Sequence, residues 1–505
     1  MKQISTQSLA LNTHQFSSRE NSDKFSPASY CGRCVPPSPT SMAEENKNPH
    51  VAVLAFPFGT HAAPLLSLTR RLAFAAPEIT FSFLSTAQSN RSVFLSDLNP
   101  PLPNLKSYDI DNGIPHGYQF KGNPLDLIGF FLGSAPVSFK KGMEAAIADI
   151  GNKISCLITD AFLWFAAGIA DELGVPWIPI WTSGPVAIST HFYTDLIRSK
   201  IAVGPDGITV REDEVLDFMP GFSSIRVRDL PEGVVSGDLE SPIARMLHQM
   251  GRTLIRGEVI VVNSFEELDS IVIEDLRSKL KQFLTVGPFN LCAPQVSVYG
   301  DDRTGILSWL DRQRSGSVAY VSFGTLMTPP PAELAALAKG LEASGAPFLW
   351  SLKEASKGQL PGGFLDRTKD QGMVVPWVPQ PCVLSHVAVG GFVTHGGWNS
   401  ILESITGEVP MICRPFIGDQ ILNGRLIASV WEIGITIEGG PITEHGMMNA
   451  LDLILRKEEG RTMKEKVRRL RMMAEQAVGP SGSSNTNFQS FLKILRTVTS
   501  QVRTS

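Results

Sequence analysis

The amino-acid sequence predicts an α/β protein of two domains, each with a parallel sheet covered by helices on both faces. Short apolar, β-branched runs alternate with amphipathic stretches along the chain, which is the pattern of a parallel sheet with crossover helices. The pattern restarts after a stretch containing Pro and Gly near Gly287–Gly300. Because ligands bind beyond the carboxyl ends of parallel strands, two facing sheets would enclose a cleft between the domains.

The first domain opens with a strand predicted at Val51–Phe56, a polar loop, and a helix over Pro64–Phe74. A second helix is predicted over Ala161–Leu173, and Gly174 is expected to end it. Further strands of this domain are predicted at Ile79–Leu84, Ile154–Ile158 and Trp177–Ile180.

The second domain shows the same alternation, and a charged helix from about Lys464 closes it. Its strands are predicted at Val318–Phe323, Phe348–Leu352, Met373–Val375, Gly391–Thr394, Val409–Cys413 and Ile433–Ile437, and its helices at Pro331–Ala343 and from Asn399. The resulting division is an N-terminal domain over 46–290, a linker over 291–300, a C-terminal domain over 301–485, and a tail over 486–505 that packs back on the N-terminal domain.

The composition of the chain indicates which classes of binding partner it favours. Lys and Arg number 45 against 49 Asp and Glu, which gives a net charge of −4 and disfavours nucleic acid or an acidic membrane as partner. No apolar run reaches the roughly 18 residues of a transmembrane helix. Six cysteines are too few for a disulfide scaffold and fit a reducing compartment, so we expect a cytoplasmic protein. We further expect it to be a monomer that acts on small molecules.

Residues 1–45 are rich in Ser, Thr, Asn, Gln and Pro, and we expect this leader to be disordered. It has features of a plastid transit peptide, and it is also consistent with an upstream extension of a chain that begins at Met42. Cys31 and Cys34 have the spacing of a redox or zinc half-site, but no second pair accompanies them, so an incidental pair is favoured.

A candidate catalytic pair lies at the carboxyl ends of two strands of the first domain. His61 follows the first strand, and an imidazole with an ordinary pKa of about 6.5 suits a general base at neutral pH. Asp160 ends the strand CLITD, and an aspartate bonded to the far ring nitrogen would stabilise the imidazolium. Spacing alone favours the alternative of a capping histidine and a loop aspartate.

Other cofactor sites find little support. No GxGxxG follows a strand and no GxxxxGK[ST] occurs, which disfavours a nicotinamide oxidoreductase and a P-loop enzyme. The motif Asp109-Ile110-Asp111 has the form of a metal–diphosphate clamp, but it precedes Asn-Gly and is interpreted as a solvated turn. We therefore expect no metal and no tightly bound cofactor.

The segment Trp377–Gln420 has the chemistry of a sugar-nucleotide site. An exposed Trp377 can stack on a base, while the glycine turn before Asn399 starts a helix whose bare N–H groups attract a diphosphate. Glu403, one turn into that helix, can accept two ribose hydroxyls. Asp419 and Gln420 supply donors and acceptors for a sugar.

This segment, WVPQPCVLSHVAVGGFVTHGGWNSILESITGEVPMICRPFIGDQ, resembles the signature box of plant secondary-product glycosyltransferases, which use UDP-sugars. VAVLAFPFGTHAAPLL, CLITDAFLWFAA, WTSGP and MICRPF are similar to the flavonoid 3-O-glucosyltransferase branch, and the resemblance covers most of residues 50–495. It implies a GT-B fold, two Rossmann-like domains facing each other across a cleft.

The resemblance also implies a role for each matching residue. His61 would be the general base and Asp160 its partner, and His61 and His191 would line the acceptor site. UDP would be held by Thr325, Trp377, Val378, Gln380, His395, Trp398, Asn399, Ser400 and Glu403, and the sugar by Thr182, Trp398, Asp419 and Gln420.

The implied function is inverting transfer of glucose from UDP-glucose, as co-substrate, to the 3-hydroxyl of a flavonol or anthocyanidin. A final Gln in the box goes with glucose in this family and a final His with galactose, so Gln420 favours UDP-glucose. The alternatives are another phenolic acceptor, UDP-galactose as donor, or a sugar-nucleotide-binding protein without catalysis.

Overall fold

The computed structural model describes residues 48–95, 100–119, 124–201, 211–292, 305–325, 327–437 and 440–501. The predicted leader, with Cys31 and Cys34, lies outside these residues, as does the predicted linker beyond Cys292. The described residues all belong to one compact unit. None of their helices is long and apolar enough to cross a membrane.

The first sheet has seven strands in the order β3-β2-β1-β4-β5-β6-β7, and every pairing is parallel. The central strands are fully buried and mostly apolar, as expected for a sheet covered on both faces. Its strands are β1 His50–Leu54, β2 Thr80–Thr86, β3 Leu105–Ile110, β4 Ile154–Asp160, β5 Trp177–Trp181, β6 Ile260–Val262 and β7 Phe283–Thr285.

The second sheet has six strands, again all parallel, in the order β10-β9-β8-β11-β12-β13. Its strands are β8 Val318–Ser322, β9 Phe348–Ser351, β10 Gly372–Val375, β11 Val389–Thr394, β12 Met411–Cys413 and β13 Gly434–Thr436. The predicted fold class of two parallel-sheet α/β domains is therefore confirmed.

Helices cover both sheets. They are α1 Ala62–Ala75, α2 Ala87–Leu95, α3 Pro124–Ile150, α4 Ala166–Leu173, α5 Pro185–Phe192, α6 Thr194–Lys200, α7 Pro242–Thr253, α8 Ser270–Lys279, α9 Phe289–Cys292, α10 Ile306–Leu310, α11 Pro331–Ser344, α12 Phe364–Arg367, α13 Gln380–Leu384, α14 Trp398–Thr406, α15 Gln420–Arg425, α16 Glu444–Arg456, α17 Glu458–Val478 and α18 Ser483–Gln501. A π-helical turn, Leu426–Val430, continues α15.

Several boundaries differ from the sequence prediction. The helix predicted from Ala161 begins at Ala166, because residues 161–165 form turns closed by bonds such as Ala166 N–H to the Leu163 carbonyl. It ends before Gly174, as predicted. The charged helix begins at Glu458 rather than near Lys464. Strands β3, β6 and β7 were not predicted. The sequence of β3, LKSYDI, mixes polar with apolar residues, and β6 and β7 have only three residues each, so none of them forms a clear apolar run.

The last helix, α18, packs on the first sheet rather than on the second. Phe488, Phe491, Leu492 and Leu495 share a buried cluster with the residues of β1. The side chain of Asn487 also donates to the carbonyl of Thr285 at the end of β7, over 3.0 Å. The C-terminal chain thus returns to the sheet that the N-terminal half forms.

Candidate active site

The side chains of His61 and Asp160 meet at the carboxyl edge of the first sheet. β1 and β4 are neighbouring parallel strands, so the loop after β1 and the last residue of β4 lie side by side. His61 Nδ1 is 2.8 Å from Asp160 Oδ2 although 99 positions separate them in the chain. The other oxygen of Asp160 accepts the main-chain N–H of Phe162 over 2.9 Å. The carboxylate is therefore held in one orientation.

The surroundings of His61 favour its charged form. Burial lowers the pKa of His61, but the charge of Asp160, its hydrogen bond and the charge of Asp419 together outweigh burial, and the pKa is raised above its ordinary value. The His61 side chain is 23% exposed and that of Asp160 is 1% exposed. With Nδ1 engaged by Asp160, Nε2 is the nitrogen that can take a proton from a ligand.

Thr182 adds a hydroxyl to this pair. It follows β5, the next strand of the sheet, and its Oγ1 lies 3.1 Å from His61 Nδ1. The side chain is 7% exposed. The structure thus brings three of the predicted residues together at one point of the sheet edge.

Aromatic rings surround His61. The ring centroid of Phe162 is 4.4 Å from that of His61, and the ring of Phe56 is 5.3 Å from it. Phe131 packs on Phe56 at 5.7 Å, and Trp181 on Phe162 at the same distance. Flat apolar walls of this kind suit an aromatic ligand that stacks or packs edge to face.

His191 belongs to the same aromatic cluster without contacting the His61–Asp160 pair directly. It lies in α5, is 4% exposed, and its ring packs against Trp181 at 6.0 Å, nearly edge-on. Burial lowers its pKa to about 4, so the ring is neutral at physiological pH. A neutral imidazole can donate or accept one hydrogen bond but supplies no charge.

A tight glycine turn follows β11 of the second sheet. Gly396 adopts a φ of +78°, and a Cβ there would lie 2.6 Å from Cys413 Sγ, so the turn requires glycine. His395 lies against Gly324 and Gly397, and burial lowers its pKa to about 4. Its Nδ1 is buried with no partner among the described residues. A neutral His395 can donate an N–H to an anion at this place.

Helix α14 begins directly after this turn. Its first N–H groups have no intrahelical partner and carry the positive end of the helix dipole. Ser400 lies in its first turn and is 8% exposed, and Asn399 precedes it. Thr325, in the exposed turn after β8, lies on the same face of the sheet edge, and its carbonyl accepts Lys353 Nζ over 2.7 Å. The arrangement is a helix N-terminus suited to a diphosphate.

A flat exposed ring and a buried carboxylate lie further along this edge. Trp377 follows β10 and is 65% exposed, whereas Val378 is buried. Gln380 Nε2 donates to Glu403 Oε2 over 2.7 Å and to Ser400 Oγ over 3.0 Å. Burial raises the pKa of Glu403 to about 7, against the bond from Gln380, which lowers it.

The last two residues of the segment lie between the two sheets. Asp419 accepts a hydrogen bond from the Ser183 hydroxyl of the first domain. Burial raises the pKa of Asp419, against the bonds from Ser183 and Asn423 and the charge of His61, which lower it. Gln420 uses Oε1 to accept the N–H of Phe416 over 2.9 Å, so its NH2 group remains to donate to a ligand.

The predicted residue Trp398 is buried rather than facing the cleft. It is 4% exposed, and its indole N–H donates to the carbonyl of Asn263, at the end of β6, over 2.7 Å. Its ring packs on Gly184 and lies 6.1 Å from that of Trp431. The side chain therefore joins the two domains, and its main-chain N–H belongs to the first turn of α14.

Sequence reasoning missed several residues at the site: Thr60, Phe56, Phe131, Phe162, Ser183, Asn263 and Tyr320. The aromatic residues carried a signal, since FPFGTH and DAFLWF place Phe beside both His61 and Asp160. Ser183 and Asn263 each follow a strand of the first sheet, which is a weak signal without their partners from the second sheet. Tyr320 reads as an ordinary strand residue.

The two aspartates of the DxD motif, Asp109 and Asp111, form local hydrogen bonds in and just after β3. Asp109 is within β3, not in a turn, and accepts from Asn90 Nδ2 over 2.8 Å. Asp111 accepts the N–H of Gly113 in the following turn. In the part of the chain that the structure describes, no three His, Cys, Asp or Glu side chains are grouped to hold a metal.

Comparisons with known proteins agree with this geometry. Residues 136–480 match the family model described as UDP-glucoronosyl and UDP-glucosyl transferase. An anthocyanidin 3-O-glucosyltransferase of Vitis vinifera is 54% identical over 88% of this chain and 97% of its own length. A flavonol 3-O-glucosyltransferase of Arabidopsis thaliana is 51% identical over 90% of this chain and 98% of its own.

A crystal structure of a UDP-glucose:anthocyanidin 3-O-glucosyltransferase in complex with UDP superposes with a TM-score of 0.83. It is 40% identical and covers 90% of this chain and all of the other. Two facing parallel sheets with a cleft between their carboxyl edges define the GT-B class of glycosyltransferases. The chain belongs to the UDP-glucuronosyl and UDP-glucosyl transferase family, and the resemblance inferred from Trp377–Gln420 is confirmed.

Proposed function

We propose that this protein transfers glucose from UDP-glucose to the 3-hydroxyl of a flavonol or anthocyanidin, with inversion at the anomeric carbon. One contact carries the proposal: Asn399 Nδ2, at the start of α14, donates to Thr60 Oγ1 over 3.0 Å. Thr60 is the neighbour of His61 in the chain. The proposed base and the N-terminus of α14 therefore lie close to each other on opposite sides of the cleft. A sugar held between them would be exposed to attack at its anomeric carbon.

His61 removes the proton from the acceptor hydroxyl through Nε2, and Asp160 stabilises the imidazolium that forms. The acceptor oxygen then bonds to C1 of glucose as the bond from C1 to the UDP oxygen breaks. The product is a β-glucoside, and UDP leaves with the bonding electrons. The 2.8 Å bond between Nδ1 and Asp160 supports this assignment, because it leaves Nε2 directed to a ligand.

The donor site is assigned to the second domain. Trp377 stacks on uracil beside Val378 and Gln380, and Glu403 accepts the ribose hydroxyls. Negative charge that grows on the diphosphate is stabilised by the N-terminus of α14 and by donors from its neighbours. These donors are His395, Asn399, Ser400, Thr325 and the main chain of Trp398.

The sugar is assigned to the residues between the sheets, namely Thr182, Asp419, Gln420 and the main chain at Trp398. Asp419 accepts a hydrogen bond from Ser183 of the first domain. Its negative charge also helps to raise the pKa of His61, so the Asp419 carboxylate lies near the proposed base. Gln420 presents its NH2 group, because its oxygen is occupied by main-chain N–H groups. We assign glucose as the preferred sugar on this basis and on the resemblance.

A flat phenolic acceptor fits the aromatic cluster around His61, which includes Phe56, Phe131, Phe162 and Trp181. His191, neutral and buried in the same cluster, is assigned to bind an acceptor oxygen. The similarity to glucosyltransferases named for anthocyanidins and flavonols supports the choice of acceptor and of its 3-hydroxyl.

We further propose that the protein acts as a cytoplasmic monomer without a metal. The domain division proposed is a leader over 1–45, an acceptor domain over 46–290, a linker over 291–300, a donor domain over 301–485 and a tail over 486–505. The packing of α18 on the first sheet supports the last assignment.

The test is product analysis. The purified protein is incubated with quercetin or cyanidin and, in parallel, with UDP-glucose or UDP-galactose. Product mass, retention against 3-O-glycoside standards and the anomeric coupling constant in NMR identify sugar, position and configuration. We expect the 3-O-β-glucoside, formed faster from UDP-glucose than from UDP-galactose.

Assays for UDP release without an acceptor accompany this test. UDP binding with no transfer to any flavonoid or other phenol would mean a sugar-nucleotide-binding protein and would contradict the proposal. A glucoside at another hydroxyl would contradict the assigned position while leaving the donor site intact. A metal requirement, tested with EDTA, would contradict the metal-free assignment.

A further inference from the structure

We propose that Tyr320 is a positioning residue for the nucleotide: its hydroxyl fixes the orientation of the Gln380 amide, and Gln380 then holds the Glu403 carboxylate for the ribose. The inference rests on the proposed role of Glu403 in binding the ribose. Tyr320 itself need not touch the nucleotide. The three side chains form one hydrogen-bonded line from the core of the second domain to the partly buried carboxylate of Glu403.

Tyr320 is anchored in the core. It lies in β8 and is 1% exposed, and its ring stacks on Phe392 of β11 with a centroid distance of 4.9 Å and an interplanar angle of 17°. Only its hydroxyl leaves this apolar layer, and it donates to Gln380 Oε1 over 2.9 Å. Because the ring is buried and stacked on Phe392, the position of its hydroxyl oxygen is fixed.

The hydrogen bond from Tyr320 favours one orientation of the Gln380 side-chain amide. Its two amide N–H groups donate to Ser400 Oγ and to Glu403 Oε2, over 3.0 Å and 2.7 Å. If the amide turned over, its oxygen would face the Glu403 carboxylate, so that two acceptors would meet with no proton between them. The Tyr320 hydroxyl stabilises the observed orientation because it satisfies the amide oxygen.

The orientation has consequences for both ligand-binding groups. Glu403 receives an N–H from behind, which keeps its carboxylate in one rotamer and supports its charged form against burial. Ser400 accepts from Gln380, and so its own proton remains to donate to a phosphate oxygen. Without the Tyr320 hydroxyl, the Gln380 oxygen would lose its partner, and the amide would no longer be held in one orientation.

The test compares Tyr320→Phe with the unsubstituted protein in binding UDP and 2′-deoxy-UDP, by calorimetry at pH 8. The two probes differ only in the ribose 2′-hydroxyl, from which Glu403 is proposed to accept a hydrogen bond. We expect the preference for UDP over 2′-deoxy-UDP to shrink about threefold or more in Tyr320→Phe, the range of one neutral hydrogen bond. In turnover, the KM for UDP-glucose should rise by a similar factor, with kcat within about twofold.

Tyr108→Phe is the matched control. Tyr108 lies on β3, at the edge of the other sheet, and its hydroxyl donates to Asp149 of α3. Its removal should leave the preference unchanged. Equal weakening of both probes by Tyr320→Phe would indicate a merely structural role and overturn the proposal, as would an unchanged preference. Equal binding of both probes by the unsubstituted protein would also overturn it.

Failure of the role of Tyr320 can be distinguished from failure of the proposed glucosyl transfer. Glucoside formation by the unsubstituted protein, together with an unchanged preference in Tyr320→Phe, would overturn the role of Tyr320 alone. Absence of any glucoside, together with a reduced preference, would overturn the proposed transfer and leave the role of Tyr320 supported.

Discussion

The ring of Trp398, from the second domain, lies directly on the backbone of Gly184, from the first. A Cβ on Gly184 would be 2.5 Å from Cζ3 of the indole, closer than real Cβ contacts allow. The indole N–H of Trp398 also donates to the carbonyl of Asn263 in the first domain. The N-terminus of α14 is therefore seated on the first domain through one aromatic side chain.

Gly184→Ala should disturb this seating. The added methyl meets three ring atoms of the buried Trp398 side chain, and overpacking of this kind costs about 1–3 kcal/mol. We expect a raised KM for UDP-glucose and a lower melting temperature, because α14 must shift. Gly168→Ala in α4 is the control, since nothing lies within 4 Å of its Cβ position. Normal kinetics in Gly184→Ala would show that the close contact is not required.

His61→Ala should abolish most of the transfer. Loss of a positioned general base costs roughly 10²–10⁴ in rate, whereas the proposed donor site is on the other domain and should keep its affinity for UDP. Steady-state kinetics with quercetin and calorimetry with UDP separate the two effects. His445→Ala, an exposed histidine in α16, is the control. Near-normal kcat in His61→Ala would reject His61 as the base.

Asp160→Asn should lower the pKa of His61. Burial already lowers that pKa, and Asp160 is the first of the charges that raise it, so its removal shifts the balance downward. The base works unprotonated, and therefore the acid limb of kcat/KM should move to lower pH, while the plateau falls by roughly 10²-fold or more. The shift is measured between variant and parent on one acceptor, so that titration of the acceptor cancels. A limb that moves to higher pH would contradict the assignment.

Glu403→Gln should remove a pH dependence of donor binding. The pKa of Glu403 is raised to about 7, so its carboxylate is present above that pH and is lost as the pH falls through it. Affinity for UDP-glucose should weaken below about pH 7 in the parent. UDP-glucose is the proper probe, because its diphosphate has no terminal group that titrates near pH 6.

In Glu403→Gln the affinity at pH 8 should fall by about 10- to 100-fold, the range of a charged hydrogen bond, and the pH profile should flatten. Glu354→Gln, at an exposed side chain, is the control. A profile that keeps its slope in Glu403→Gln would assign the titration to another group, with Asp419 the next candidate.

Glu333→Ala should destabilise the second domain. Both oxygens of Glu333 bind the Arg414 guanidinium, over 2.9 and 2.8 Å, and one also accepts the N–H of Ile442. The side chains are 9% and 16% exposed, so removal of one partner leaves a buried charge and costs about 3–5 kcal/mol. Chemical denaturation measures the change. Glu342→Ala breaks the more exposed bidentate pair with Arg367 and should cost less than about 1 kcal/mol.

The sequence by itself determined the alternation of strands and helices in two domains and the content of the donor segment. Apolar runs such as those of β1 and β11 end at polar loops, and this local pattern places His61 and His395 at carboxyl ends of strands. The segment Trp377–Gln420 is continuous in the chain, so its resemblance to the signature box of plant secondary-product glycosyltransferases is visible in the sequence alone. Local propensity and periodicity suffice for the strands and loops.

Only the tertiary structure decided which distant groups meet. The pairing of β1 with β4, rather than with β3, brings His61 to Asp160, and no local pattern specifies which strands are neighbours. Trp377 and Trp398 both follow strands, yet one is exposed and the other is buried on Gly184, because packing across the cleft is a property of two surfaces. The direction of the Gln380 amide likewise depends on a hydroxyl from 60 residues away. Such contacts follow from sheet order and domain packing, which arise from the whole chain.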